Sequence, residues 1–245
     1  MIPERPDALA YLTGRLSGRD RPHPITEPGG GGKFTPQGAV LPFAGNTIVL
    51  HIPAASDAHA AMVGMQDALK SGPCAECFTW LPPASFHMTL FQGVSGPEPE
   101  TGWPEGIAPG TALDQITPVL SSRLDGVTLP AARIRSRGLF AGHSLTVEGA
   151  DAAQETLLRA ARQHLRKTLR IDPPGFDSYV FHVSFAYLLR WLTDDQARDV
   201  ITLSENIHAR FADRLRDIAL GPAEFCIFDN MYHFEPLRRI GKATV

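Results

Sequence analysis

The chain has 245 residues, 43% of them hydrophobic and 20% charged, with a formal net charge of −3. That length and composition build a full hydrophobic core and exclude an intrinsically disordered protein. The acidic balance argues against an extended nucleic-acid surface, which needs a basic surplus to meet many phosphates. No stretch reaches the ~20 apolar residues of a membrane span, and the N-terminus has charges where a signal peptide needs a continuous apolar core. Three cysteines argue against a disulfide framework. A soluble cytoplasmic protein is expected.

In chain order, residues 21–45 (RPHPITEPGGGGKFTPQGAVLPFAG) are rich in Pro and Gly and predict an irregular, flexible arm, which sets residues 1–45 apart from a domain over 46–245. The glycines before Lys33 do not form a phosphate loop, because position 27 is Glu and position 34 is Phe. NTIVLHIP (46–53) predicts a strand, ASDAHAAMVGMQDALKS (55–71) a helix capped by Ser56 or Asp57, and FHMTLFQGV (86–94) a second strand. Residues 95–110 predict a loop. ALDQITPVLSSRL predicts a helix that Pro118 shortens or kinks. AARIRSRGLF and HSLTVEG predict a strand pair, and residues 151–170 a strongly amphipathic helix. YVFHVSFAYLL (179–189) predicts one strand, residues 193–217 a long capped helix, and AEFCIFDNMYHFEPL one or two final strands. Each half therefore places a helix before a strand with a shared pattern, which predicts an α+β protein of two related lobes.

The shared pattern is Phe-His-apolar-Ser/Thr-apolar: Phe86-His87-Met88-Thr89-Leu90 and Phe181-His182-Val183-Ser184-Phe185. A bare His-x-Ser/Thr arises about once by chance in such a chain, whereas the framed version is expected roughly 0.01 times. Residues i and i+2 of a strand share a face. His87 and Thr89 should thus project together, as should His182 and Ser184, with the apolar neighbours turned to the core. If the two strands lie side by side, two imidazoles and two hydroxyls converge on one cleft. Two histidines can divide acid and base work near neutrality, and hydroxyls can hold phosphoryl oxygens. A lone histidine in an apolar strand is otherwise a core ring bound to a carbonyl.

At these residues the sequence resembles the two-histidine (2H) phosphoesterase superfamily, which includes 2′-5′ RNA ligase-like proteins, plant cyclic phosphodiesterases and domains of some RNA-repair enzymes. Its motif, His-x-Thr/Ser-x, occurs once per lobe. His87-Met88-Thr89-Leu90 and His182-Val183-Ser184-Phe185 both fit, with Ser in place of Thr in the second. The segments KFTPQGAVLPFAGNTIVLHI and LPPASFHMTLFQGV resemble an uncharacterised bacterial and fungal branch known as a domain of unknown function. The resemblance implies two pseudo-symmetric lobes, each an antiparallel sheet with helices packed outside, around a central cleft. It also implies cofactor-free, metal-independent chemistry on a 2′,3′-cyclic phosphate or related phosphodiester of a nucleotide or RNA end. His87 and His182 would act as general acid and base, and Thr89 and Ser184 would bind the phosphate. The alternative is a nucleotide- or RNA-end-binding protein without turnover.

Other features carry less. Arg133, Arg135 and Arg137 alternate and would line one strand face, either toward an anionic ligand or toward solvent. Cys74 and Cys77 offer at most two ligands of a zinc site. Trp80 and Phe91 are expected in the core rather than stacked on a base. His51 is expected in a structural or rim position, and His143, His164, His208 and His233 in packing or surface roles.

Overall fold

A computed structural model describes residues 3–95 and 102–242; part of the predicted loop at 95–110 lies outside them. The elements in order are α1 (Ala8–Leu12), β1 (Gly45–His51), α2 (Asp57–Lys70), β2 (Phe78–Trp80), β3 (His87–Ser95) and α3 (Leu113–Arg123). The second half contributes β4 (Arg133–Phe140), β5 (Ser144–Gly149), α4 (Ala152–Leu169), β6 (His182–Ser184), β7 (Ala186–Leu188), α5 (Asp194–Phe211), β8 (Ile218–Ala219), β9 (Ala223–Phe228) and β10 (Glu235–Arg239).

The helix starts other than that of α3, which follows Ala112, fall where side chains cap them. Ser56 accepts from the His59 amide, Asp151 from the Gln154 amide, and Thr193 forms a reciprocal capping box with Gln196. Pro118 neither ends nor shortens α3, which runs on to Arg123. It sits in the sixth position of the helix, so only one intrahelical donor near the N-terminus is given up.

Eight strands form one antiparallel sheet in the order β10-β9-β1-β3-β6-β5-β4-β8, and β2 and β7 form a separate pair. The lobes thus share a strongly curled sheet, joined at the neighbouring motif strands β3 and β6. Each side of that seam holds four strands. One face is apolar: Met88, Leu90, Val183, Leu145 and Val147 are buried in the main core together with Leu158 and Leu165 of α4 and Met62 of α2. The other face carries the polar residues of the motifs.

The predicted strand 179–189 is two strands. Phe185 marks the break, where the chain leaves β5 and joins β2. The Phe185 and Ala186 amides both donate to the His143 carbonyl, at 2.7 and 3.1 Å. The Phe185 carbonyl accepts from the Leu81 amide at 2.9 Å and from the buried Gln66 side chain at 3.0 Å. Gln66 also donates to the Leu81 carbonyl at 2.8 Å, so one amide of α2 ties the approaches to both motifs. These partners are distant in sequence, so local pattern gives no sign of the bend.

The segment before β1 is packed rather than free. Leu12, Ile25 and Phe34 are buried, the last two against Val49, Leu81, Phe228 and Phe234. Val49 is the register partner of Thr89, so this packing lays the arm along the motif face.

Candidate active site

The register fixes how the motif side chains meet. Met88 pairs antiparallel with Val183. Their neighbours on the opposite face are therefore His87 across from Ser184 and Thr89 across from His182, with the two histidines on a diagonal. Diagonal neighbours of such a pair lie ~7–8 Å apart, which leaves room for one tetrahedral group between the rings. All four residues line one cavity of about 150 Å³, with Lys33, Tyr179, Tyr187 and Phe234 among its other walls. Apolar residues between them are buried and the four themselves are half-buried, as the period-2 alternation requires.

Each ring is held in the same way. His87 Nδ1 lies 2.7 Å from the Ser85 carbonyl and His182 Nδ1 lies 2.9 Å from the Val180 carbonyl, two residues upstream in both cases. A carbonyl only accepts, so Nδ1 carries the proton and Nε2 is left to face the cleft. Burial pushes each ring down to about 4. The next largest influence is the Ser85 hydrogen bond for His87, acting upward, and the Arg5 guanidinium for His182, acting downward. Both rings are therefore neutral at pH 7.

The surroundings differ. Beside His87 stand Phe234, with ring centroids 4.2 Å apart, and His51, at 6.1 Å. His51, expected in a structural or rim position, thus borders a motif histidine, and its Nδ1 is 3.0 Å from Glu224 Oε2. Beside His182 stand Tyr179, at 6.1 Å, and the cations Arg5 and Lys33. The Tyr179 hydroxyl donates to the Thr89 carbonyl at 3.4 Å. The buried Arg162 lies 4.1 Å from the Tyr179 ring and donates to the Leu90 carbonyl at 2.6 Å, fixing Tyr179 against β3.

Sequence reading missed Lys33, Tyr179, Tyr187 and Arg5. Lys33 belongs to the Gly-rich stretch rejected as a phosphate loop; it reaches the cleft over the rings of Phe43 and Tyr187, at 5.1 and 5.4 Å. Its role depends on how the arm folds back, which no local spacing encodes. Arg133 pairs with Asp217, while Arg135 and Arg137 share the buried Glu148. Trp80 and Phe91 pack in the core. His208 meets Ser136. Cys74 and Cys77 are free thiols. No three His, Cys, Asp or Glu side chains cluster as metal ligands among the described residues, and none of their helices is long and apolar enough to cross a membrane.

A curled antiparallel sheet with two His-x-Ser/Thr strands adjacent at its centre defines the two-histidine phosphoesterase-like fold. A family model named 2H-phosphodiest, described as a domain of unknown function (DUF1868), matches residues 33–139. Over those residues the chain is similar to the two-histidine phosphoesterases, in a branch of unknown function, and the likeness supports a phosphoesterase-type function. A crystal structure of a conserved protein of unknown function from Agrobacterium tumefaciens is similar with a TM-score of 0.86 and 26% identity, over 95% of this chain and 98% of that one. No curated protein matches.

Proposed function

We propose that the protein hydrolyses a 2′,3′-cyclic phosphate, or a related phosphodiester, of a nucleotide or RNA end, without a metal ion. The observation that carries this is the Met88–Val183 register, by which two Nε2 atoms and two hydroxyls face one cavity. One ring takes a proton from the attacking water as oxygen bonds to phosphorus. The other gives a proton to the sugar oxygen as its bond to phosphorus breaks. The product is a phosphomonoester, and the proton returns between the rings through solvent. Thr89 and Ser184 donate hydrogen bonds to the non-bridging oxygens. The enclosed volume is below the ~300–1,000 Å³ of pockets that engulf a drug-sized ligand, which suits one phosphoryl group and its sugar edge, with the remainder outside.

The acid ring must be charged, although burial by the protein keeps both neutral at pH 7. A phosphodiester anion between the rings supplies the reason: in a poorly solvated cleft its attraction for an imidazolium is strong, so substrate and proton enter together. The same depressed basicity favours a second reading, in which the cleft holds a nucleotide or RNA end without turnover. The experiment is hydrolysis of a panel of cyclic nucleotides and cyclic-phosphate RNA ends in a chelator. Turnover lost in both His87→Ala and His182→Ala supports the enzyme. Binding without turnover supports the second reading, and a strict metal requirement overturns the two-histidine mechanism.

A further inference from the structure

The arm brings a guanidinium to the sheet immediately beyond the motif pair. On β5, Thr146 pairs with His182 and Ser144 with Ser184, so both hydroxyls continue the rows of motif side chains. Arg5 spans them, with Nε donating to Thr146 Oγ1 at 3.2 Å and Nη2 to Ser144 Oγ at 3.1 Å. Its guanidinium lies 4.9 Å from the Phe140 ring centroid. Among the described residues Arg5 makes no ion pair, and the charged or ionisable groups it senses most are the tyrosines 179 and 11. That sets it apart from Arg133, Arg135 and Arg137, each of which has a carboxylate.

A half-buried guanidinium facing neutral hydroxyls lacks a countercharge, and burial accordingly lowers its pKa. It borders a cavity of about 300 Å³ lined also by Glu4, Arg137, Phe140 and Thr146. Glu4 is exposed, and Arg137 shares its single carboxylate with Arg135, so positive charge is in surplus on this wall. We propose that Arg5, with Arg137 across the cavity, forms a second anion subsite that takes a further phosphate of the same substrate.

Distance narrows the class. From the gap between β3 and β6 to β5 is one and a half strand spacings, about 7 Å. Two phosphates of a pyrophosphate are too close for that span. Two phosphates on one ribose, or the successive phosphates of an RNA end, fit it. The shared chemistry is a second phosphate one sugar away from the reacting one. Arg5 has N–H groups left for it after Thr146 and Ser144 are served, because a guanidinium carries five.

The subsite rests on the two-histidine cleft as the place of the first phosphate, and binding tests it apart from turnover. Calorimetry compares adenosine 2′-monophosphate, adenosine 2′,5′-bisphosphate and a dinucleotide 3′-monophosphate on the wild type, Arg5→Met and Arg137→Gln. The expected result is at least ~10-fold tighter wild-type binding of a two-phosphate ligand than of the monophosphate. Arg5→Met removes that advantage and Arg137→Gln reduces it, each read as the ratio of two-phosphate to monophosphate affinity on the same variant. Whichever two-phosphate ligand shows the Arg5-dependent gain tells a free nucleotide from an RNA end. No gain with either ligand, or a gain that survives in a folded Arg5→Met, overturns the subsite. A gain without turnover of any cyclic phosphate leaves the subsite standing and removes the hydrolase. Turnover without the gain does the reverse.

Discussion

The two motif strands carry the same chemistry in unequal settings. β3 is nine residues long and paired on both sides, with an aromatic ring and a histidine–glutamate pair beside His87. β6 is three residues long, bends away at Phe185, and has two cations and a tyrosine beside His182. The rings are nevertheless anchored identically, through Nδ1 and the carbonyl two residues back. A repeated motif thus sets which atom faces the cleft, while residues outside the motif set how readily that atom holds a proton.

The sharpest way to break the pair is to remove one ring. His87→Ala and His182→Ala are each expected to lower kcat by about 10²- to 10⁴-fold, and the double variant by little more than the worse single one, because the proposed mechanism uses the rings as a unit. Single-turnover kinetics on a cyclic nucleotide measures this. Next come the hydroxyls. Thr89→Val and Ser184→Ala should each cost roughly 10- to 100-fold in kcat, whereas Ser184→Thr, which equalises the two motifs, should stay within about 3-fold.

A smaller effect sharpens the electrostatic difference. Arg5→Met should raise the pKa of His182 and leave that of His87 nearly unchanged, since Arg5 acts on the former ring alone. NMR titration of the ring protons reads both. Equal movement of the two rings would contradict the assignment.

The mildest effect concerns stability. His143 lies between Tyr11 and Phe140, with Nε2 buried and unbonded among the described residues; burial, then Arg5 and then His182, push it down to about 3. The unfolded chain takes that proton near 6.5, so the folded protein is favoured above that value and loses ground as pH falls toward 3, by about 1.4 kcal/mol per unit. His143→Phe should flatten the decline in Tm between pH 7 and pH 4 and leave the neutral value equal or higher. An unchanged slope would place the acid sensitivity elsewhere, with His87 and His182 next to examine.

Much of this was legible locally. Capping residues marked the helix starts at Ser56, Asp151 and Thr193, and period-2 alternation told which motif side chains share a face. The adjacency of the two motif strands was legible only as a condition, because strand order depends on the whole sheet. The bend at Phe185 was hidden, since its cause lies at His143, Leu81 and Gln66. Arg5 and Lys33 were hidden for the same kind of reason: their chemistry is ordinary until buried Ile25 and Phe34 seat the arm on the sheet.

The strand order has a consequence for cutting the chain. Residues 33–139 carry a recognisable family signature, but they omit β9, which flanks β1 on one side, and β6, which flanks β3 on the other. They also omit Arg5. The two ends of the chain cross over, the first residues serving the second motif and the last strands bracing the first. A fragment bounded by the signature would expose two open sheet edges and half a cleft, so what is recognised as a unit of sequence is not a unit of folding.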